Sequence, residues 1–233
     1  MTAIGLFGAL TFGLAWKLYE GQQGVVGWIT TAVSGALGYV FADLVSGIVH
    51  WLADRYGSAD TPLLGANYIR PFREHHVDPT AITRHGFIET NGSNCIISVP
   101  WMAGALVVSA SAPPLIATCL LAMTLSFCLA IFATNQFHKW AHMDDAPRAV
   151  RTLMRLSLVL DADHHNDHHT APFDRNYCIT TGWWNPFLRQ WRIFERAETC
   201  IQFLTGVRPS ETASGQIEPG NPEQDAEWET GYP

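Results

Sequence analysis

The sequence predicts an all-α integral membrane protein of about four transmembrane helices, with a cytoplasmic helical cap that carries its histidine motifs. Three observations predict it. Of 233 residues, 48% are hydrophobic and only 15% are charged, where about a quarter is usual for a soluble domain. No Asp, Glu, Lys or Arg occurs from Gly21 to Ala42, nor from Thr90 to His138. The ten histidines avoid the middles of these runs and gather at their ends and in the segments beyond.

A bilayer core of about 30 Å takes roughly 20 helical residues to cross. Met1 to Trp16 is uncharged and reads as a first span over 3–19. A removable signal peptide would carry a basic start and a small-residue cleavage site, whereas here Lys17 and Glu20 follow the apolar stretch. The second run predicts a span over 24–48. The third is long enough for two, 93–111 and 114–136, divided at Ser109-Ala110-Ser111-Ala112-Pro113-Pro114, which breaks a helix without adding charge. Of fourteen Lys and Arg residues, thirteen lie between Arg55 and Arg208, and none lies in that short turn. The positive-inside rule therefore places the 50–92 loop and everything after about 136 on the cytoplasmic face, and four spans return both termini there.

Two cytoplasmic segments have a character of their own. Residues 146–160, "APRAVRTLMRLSLVL", predict an amphipathic helix with Arg148, Arg151 and Arg155 in one basic stripe, suited to lipid headgroups or phosphate. Trp183, Trp184, Phe187 and Trp191 suit an aromatic belt at the interface, or simply a core. The five cysteines form no C-x-x-C and read as packing residues. Beyond Arg208 the chain carries six acids, no base and many Pro and Gly, which predicts a disordered tail over 208–233 behind a single membrane domain over 1–207. No internal repeat of domain size is present.

The chemistry is concentrated in the histidines. His138 and His142 stand four apart at the end of the fourth span, so they share a helix face. His50 and Asp54 repeat that relation where the second span emerges. His75 and His76 lie in "RPFREHHVDPTAITRHGF", with His85 nine residues on, and "HHNDHH" supplies His164, His165, His168 and His169 at helical spacings. Imidazoles crowded this closely repel one another when protonated, and a divalent cation that binds the neutral ring removes the conflict. One catalytic zinc needs three protein ligands. Nine imidazoles suit two ions of zinc, iron or copper rather than magnesium or calcium. Iron in such a place supports O₂ chemistry on unactivated C–H bonds, and the membrane-edge position implies a lipid substrate.

Several of these stretches resemble one known family. "GIVHWLADRYGSADTPLLG", "IRPFREHHVDPTAITRHGFIETNGSNC", "TNQFHKWAH" and "HHNDHHTAPFDRNYCITTGWWNP" resemble, in order and spacing, the plasmanylethanolamine desaturases, over roughly residues 35–207. The resemblance implies a non-haem di-iron enzyme that uses O₂ and two electrons to convert a 1-O-alkyl ethanolamine phospholipid into its vinyl-ether (plasmalogen) form. It implies iron ligation by His50, His75, His76, His138, His142, His164, His165, His168 and His169, with Asp54 binding metal or orienting His50 and His85 standing behind the ligands. It also implies an external electron donor, cytochrome b5 or a ferredoxin-like protein, since no haem, flavin or iron–sulfur signature is present. The compartment would be the endoplasmic reticulum in a eukaryote and the inner membrane in a bacterium. Nucleic acid is not an expected partner. Acyl-CoA desaturases have spaced histidine pairs in their first boxes; here His50 pairs with an aspartate and His75-His76 has no histidine three residues before it. Asn91 and Asn94 flank the start of the third span and read as helix caps rather than holders of a metal-bound water. Two other readings stay open: a desaturase or hydroxylase of ester-linked acyl chains, and a non-catalytic metal-binding membrane regulator.

Overall fold

The computed structural model describes residues 2–22 and 24–210. Four long helices dominate it: α1 (Thr2–Glu20), α2 (Gly24–Arg55), α5 (Phe87–Ser109) and α6 (Pro114–Ala141). Between α2 and α5 lie a π-helical turn (Gly65–Ile69), α3 (Arg70–Val77) and the single turn α4 (Ala81–Arg84). After α6 come α7 (Arg148–Arg155), α8 (Ala162–Asn166), α9 (Asn185–Gln190) and α10 (Ile193–Thr205). No strand occurs among the described residues.

Helices α2, α5 and α6 are long and apolar enough to cross a membrane. Helix α1, of 19 residues, is not among these three, so the fourth expected span is not shown among the described residues. Its apolar stretch stops at Trp16, and Lys17, Tyr19 and Glu20 make its last turn polar. It packs beside α5 and α6, where Phe7, Leu14 and Leu18 meet Cys95, Met102 and Leu121 in a buried core. Three spans overrun their predicted bounds at the histidine side: α2 continues to Arg55, α5 already begins at Phe87, and α6 continues to Ala141. At 1.5 Å per residue, the 32 residues of α2 extend about 48 Å, well beyond a bilayer core. The overrun carries the histidines clear of the hydrocarbon.

Small residues set how closely the spans approach. A Cβ on Gly38 would collide with the Met123 carbonyl, so α2 and α6 touch backbone to backbone there. Amides join α5 to α6: Asn94 Nδ2 donates to the Ile131 carbonyl at 2.7 Å and Asn135 Nδ2 to that of Thr90 at 2.9 Å. Asn91 donates to Phe87 and Gln136. Asn91 and Asn94 are therefore not caps. The cap of α5 is Gly86, whose N–H donates to Glu89 Oε2 at 3.2 Å. Val25, Ile29, Val33 and Leu37 on α2, and Ile96, Trp101 and Val108 on α5, remain exposed. These apolar faces are what a span presents to lipid tails.

Helix α7 is shorter than the 146–160 expected. It stops at Arg155 because Ser157 turns into the left-handed region at φ 54°. Val150 and Met154 form its buried side, so Leu153 and Leu156 stay exposed beside the arginines rather than opposite them. Arg151 is committed to Asp145 and the Ala146 carbonyl, whereas Arg148 and Arg155 are exposed. Trp183, Phe187 and Trp191 are also exposed, and Trp184 is tied to α2 through Nε1 and the Val40 carbonyl. Cys95, Cys128 and Cys178 are buried as packing residues, but Cys200 is exposed on α10. Of the acidic tail, residues from 211 onward lie outside the described residues; Ser210 N donates to the Arg55 carbonyl at 2.7 Å.

Candidate metal centre

The last turns of α2 and α6 aim their side chains into a common space, which α3 and α8 close. Helix α3 is fixed by Arg73, whose guanidinium donates to the carbonyls of Ala53, Tyr56 and Gly57 that end α2 unpaired. His75 and His76 are consecutive, so they leave α3 in different directions. Helix α8 starts at Asp161, whose carboxylate accepts from the N–H groups of Asp163 and His164 at 3.0 and 3.2 Å. The helical turn continues through the His168 N–H to the His165 carbonyl at 2.9 Å, which stacks His165 and His169 on one side and His168 on the other.

Two groups of potential ligands result. One gathers His75, His138, His142, His165 and His169; the other gathers His50, Asp54, His76 and His168. Within each group the donor atoms lie within 4.8 Å of one another. Donors about 2.1 Å from one ion stand roughly 3–3.4 Å apart. Asp54 Oδ2 lies 3.4, 3.1 and 3.5 Å from the Nε2 atoms of His50, His76 and His168, and the Nε2 atoms of His165 and His169 are 3.1 Å apart. The groups adjoin, with the rings of His76 and His169 centred 5.1 Å apart.

The unmet hydrogen-bonding capacity of these residues tests the fit to a metal. His50 Nε2, His75 Nε2, His76 Nδ1, His138 Nε2, His142 Nε2, His165 Nδ1, His168 Nε2, His169 Nδ1 and Asp54 Oδ1 are all buried without a hydrogen-bond partner. Buried polar atoms ordinarily find partners, and a concentration of orphans on the residues of two clusters is what cation sites leave behind. His50 Nδ1 donates to the Tyr177 carbonyl at 3.0 Å and His168 Nδ1 to that of Arg175 at 2.7 Å. A carbonyl only accepts, so both rings carry hydrogen on Nδ1 and present a bare Nε2. Burial first, and neighbouring imidazoles second, hold His75 and His165 well below the usual histidine range, His142 at about 4 and His169 at about 2. The rings are therefore neutral near pH 7, the form that binds metal.

Nine of the ten residues expected as ligands are brought together: eight histidines and Asp54. His164 is not. Its Nε2 lies 2.8 Å from the Asn185 amide nitrogen, which donates to it, on the far side of α8. At i+4 it shares a helix face with His168 in sequence, but α8 ends at Asn166 and the turn after it rotates His168 away. His85 stands outside as well: it is exposed, its Nε2 lies 3.7 Å from Glu89, and its carbonyl is taken by Lys139.

Asp43 was missed by sequence reasoning. It is fully buried, and its carboxylate accepts from the N–H groups of Thr181, Gly182 and Trp184 at 2.7, 2.9 and 3.2 Å. Ser46 Oγ accepts from Ile179 N at 3.1 Å, and a Cβ on Gly47 would run into Cys178. These contacts lay the 177–184 segment along α2 as a strap and bring the Tyr177 carbonyl to His50. The signal was a lone acid inside an apolar helix, which is costly unless it has a task.

Residues 39–212 match the model of the lipid desaturase domain. The chain is 44% identical over 215 residues to a plasmanylethanolamine desaturase of Myxococcus xanthus, covering 92% of this chain and 75% of that protein. It is 45% identical over 185 residues to plasmanylethanolamine desaturase 1 of Mus musculus, covering 78% and 67%. Fatty acid desaturase 4, chloroplastic, of Arabidopsis thaliana is 36% identical over 192 residues, covering 80% and 57%. No solved structure matches.

Proposed function

This chain belongs to the lipid desaturase domain family, and from that premise we propose that it is an integral membrane, O₂-dependent desaturase that turns a 1-O-alkyl ethanolamine phospholipid into the vinyl-ether lipid. The carrying observation is the pair of adjoining buried clusters, eight imidazoles and one carboxylate, each with a buried nitrogen or oxygen that has no hydrogen-bond partner. That donor set fits two iron ions. His75, His138, His142, His165 and His169 would hold one and His50, Asp54, His76 and His168 the other, and bound iron would supply O₂ activation and hydrogen abstraction.

The reaction balances as follows. Two hydrogens leave the first two carbons of the alkyl chain, two electrons and two protons are added, and O₂ is reduced to two waters. The chain's own part is positional. The Tyr177 and Arg175 carbonyls fix ring orientation, Asp43 fixes the strap that carries Tyr177, and Phe72 and Phe173 pack on His50 and His76 at 4.8 and 5.3 Å between ring centres. Arg148 and Arg155 of α7 are offered to the lipid phosphate. The electrons come from a separate carrier, cytochrome b5 or ferredoxin-like, because the chain has no redox signature besides the histidines. The excess of Lys and Arg at the histidine end supports a cytoplasmic position for the clusters, at the endoplasmic reticulum in a eukaryote or the inner membrane in a bacterium. Residues 1–207 form the working domain.

The match to a fatty acid desaturase supports a second reading, desaturation of an ester-linked acyl chain. Expression in cells that lack plasmalogens separates the two. Acid-labile vinyl ethers are the expected product. New acyl double bonds without vinyl ethers would favour the second reading, and neither product would favour a non-catalytic regulator.

A further inference from the structure

Between α2 and α6 lies an apolar groove of about 360 Å³, to which the metal clusters contribute no lining residue. Thr31, Gly35 and Tyr39 line it from α2 at successive turns, and α6 lines it from Ala122 to Phe137. Leu18, near the end of α1, stands beside the deep end. Phe137 immediately precedes His138, so the shallow end reaches the level on α6 at which the first cluster begins, about 100° around the helix from it. The fifteen steps from Ala122 to Phe137 cover about 22 Å at 1.5 Å per residue, more than half of a bilayer core of about 30 Å. Tyr39 roofs the shallow end: its hydroxyl donates to the Leu158 carbonyl, and its ring meets Trp183 edge-on at 6.0 Å. The groove thus starts beneath the strap, at the level of the histidine clusters, and descends away from them along two membrane helices.

We propose that this groove seats the saturated alkyl chain of the phospholipid on which the enzyme acts, and that its depth at Gly35 and Thr31 sets the chain lengths accepted. The inference rests on the ether-lipid reading above. If the reacting carbons are the first two of the chain, they sit next to the glycerol, and the remainder must leave the metals in one direction. An apolar groove that runs along the membrane helices away from the clusters meets that need. Gly35 supplies its width: a Cβ there would meet Ser126 Cβ only at 3.9 Å, so a methyl fits and a larger side chain fills the groove.

Two blocks at different depths test this. Thr31→Phe plugs the deep end and Gly35→Leu, one helical turn nearer the metals, plugs the middle. The purified full-length enzyme, its iron content checked against wild type, is assayed with 1-O-alkyl ethanolamine phospholipids of short, medium and long chain. Thr31→Phe should cut turnover of the long chain about tenfold and spare the others; Gly35→Leu should cut both long and medium chains. An unchanged length profile, or equal loss at every length with iron retained, would overturn the proposal. A binding arm needs no turnover and no variant. Wild-type protein is photolysed with an ether lipid carrying a diazirine at its chain end, and labelling should fall near Leu18, Thr31 and Ala122. Labelling confined to the outer face of α5 would overturn the groove. A wild type that is labelled in the groove but forms no vinyl ether would refute the assigned reaction and leave the seat standing.

Discussion

Each cluster histidine uses one nitrogen to fix its orientation or is wedged by its neighbours, and leaves another bare. That division makes ligand and bystander separable by metal content. His142→Ala and His168→Ala should each abolish vinyl-ether formation and lower iron per chain, because each deletes a donor from a buried set. His164→Ala should retain both ions, since its Nε2 is already engaged by Asn185; iron analysis of the purified variants is the check. The loss of activity expected for His164→Ala is at most the roughly 10–100-fold typical of groups standing behind ligands. Pairs such as His138/His142 were legible because i, i+4 spacing on a long helix leaves one geometry. His164 was not, because the four-residue periodicity of "HHNDHH" holds only while α8 lasts, and it lasts five residues.

At the level of helices, α2 and α6 do most of the positioning. Both carry cluster histidines at their C-terminal ends, and both owe their separation to glycine. Gly38→Leu should destabilise the folded protein by about 1–3 kcal/mol or more, because the added side chain meets backbone rather than a yielding side chain. Gly35→Ala, three residues away on the same helix, should change stability little; thermal unfolding in detergent compares the two. The spans were legible from hydropathy alone, yet α2, α5 and α6 were each misjudged at their histidine-side ends. Charge marks where a helix leaves lipid, not where it stops, and Asp43, Asp54 and Arg55 all lie within α2. Helix α1 shows a further point: its apolar residues are ordered against the core that α5 and α6 offer. The strap was illegible for a different reason. Its backbone N–H groups are met by Asp43, some 140 residues earlier in the chain, and no local pattern announces such a partner.

The whole molecule divides into a helical bundle held by apolar packing and a cap whose interior is largely unpaired imidazole. The two should respond differently to metal removal. Chelation should loosen α8 and the segment up to the strap while leaving the bundle folded, so limited proteolysis should cut between about 156 and 176 only in metal-free protein. Equal resistance with and without chelator would show that the cap does not depend on metal. The ligands also come from four stretches of chain, the ends of α2 and α6 together with α3 and the α8 turn, with well over a hundred residues between His50 and His169. A ribosome delivers these stretches in sequence, and the first three are already in the membrane before the last exists. Iron captured early would meet partial sets of imidazoles with nothing to choose between the two positions. Correct loading therefore belongs after release of the finished polypeptide, and on the di-iron reading proposed above an inserted, empty chain can be charged later without new synthesis.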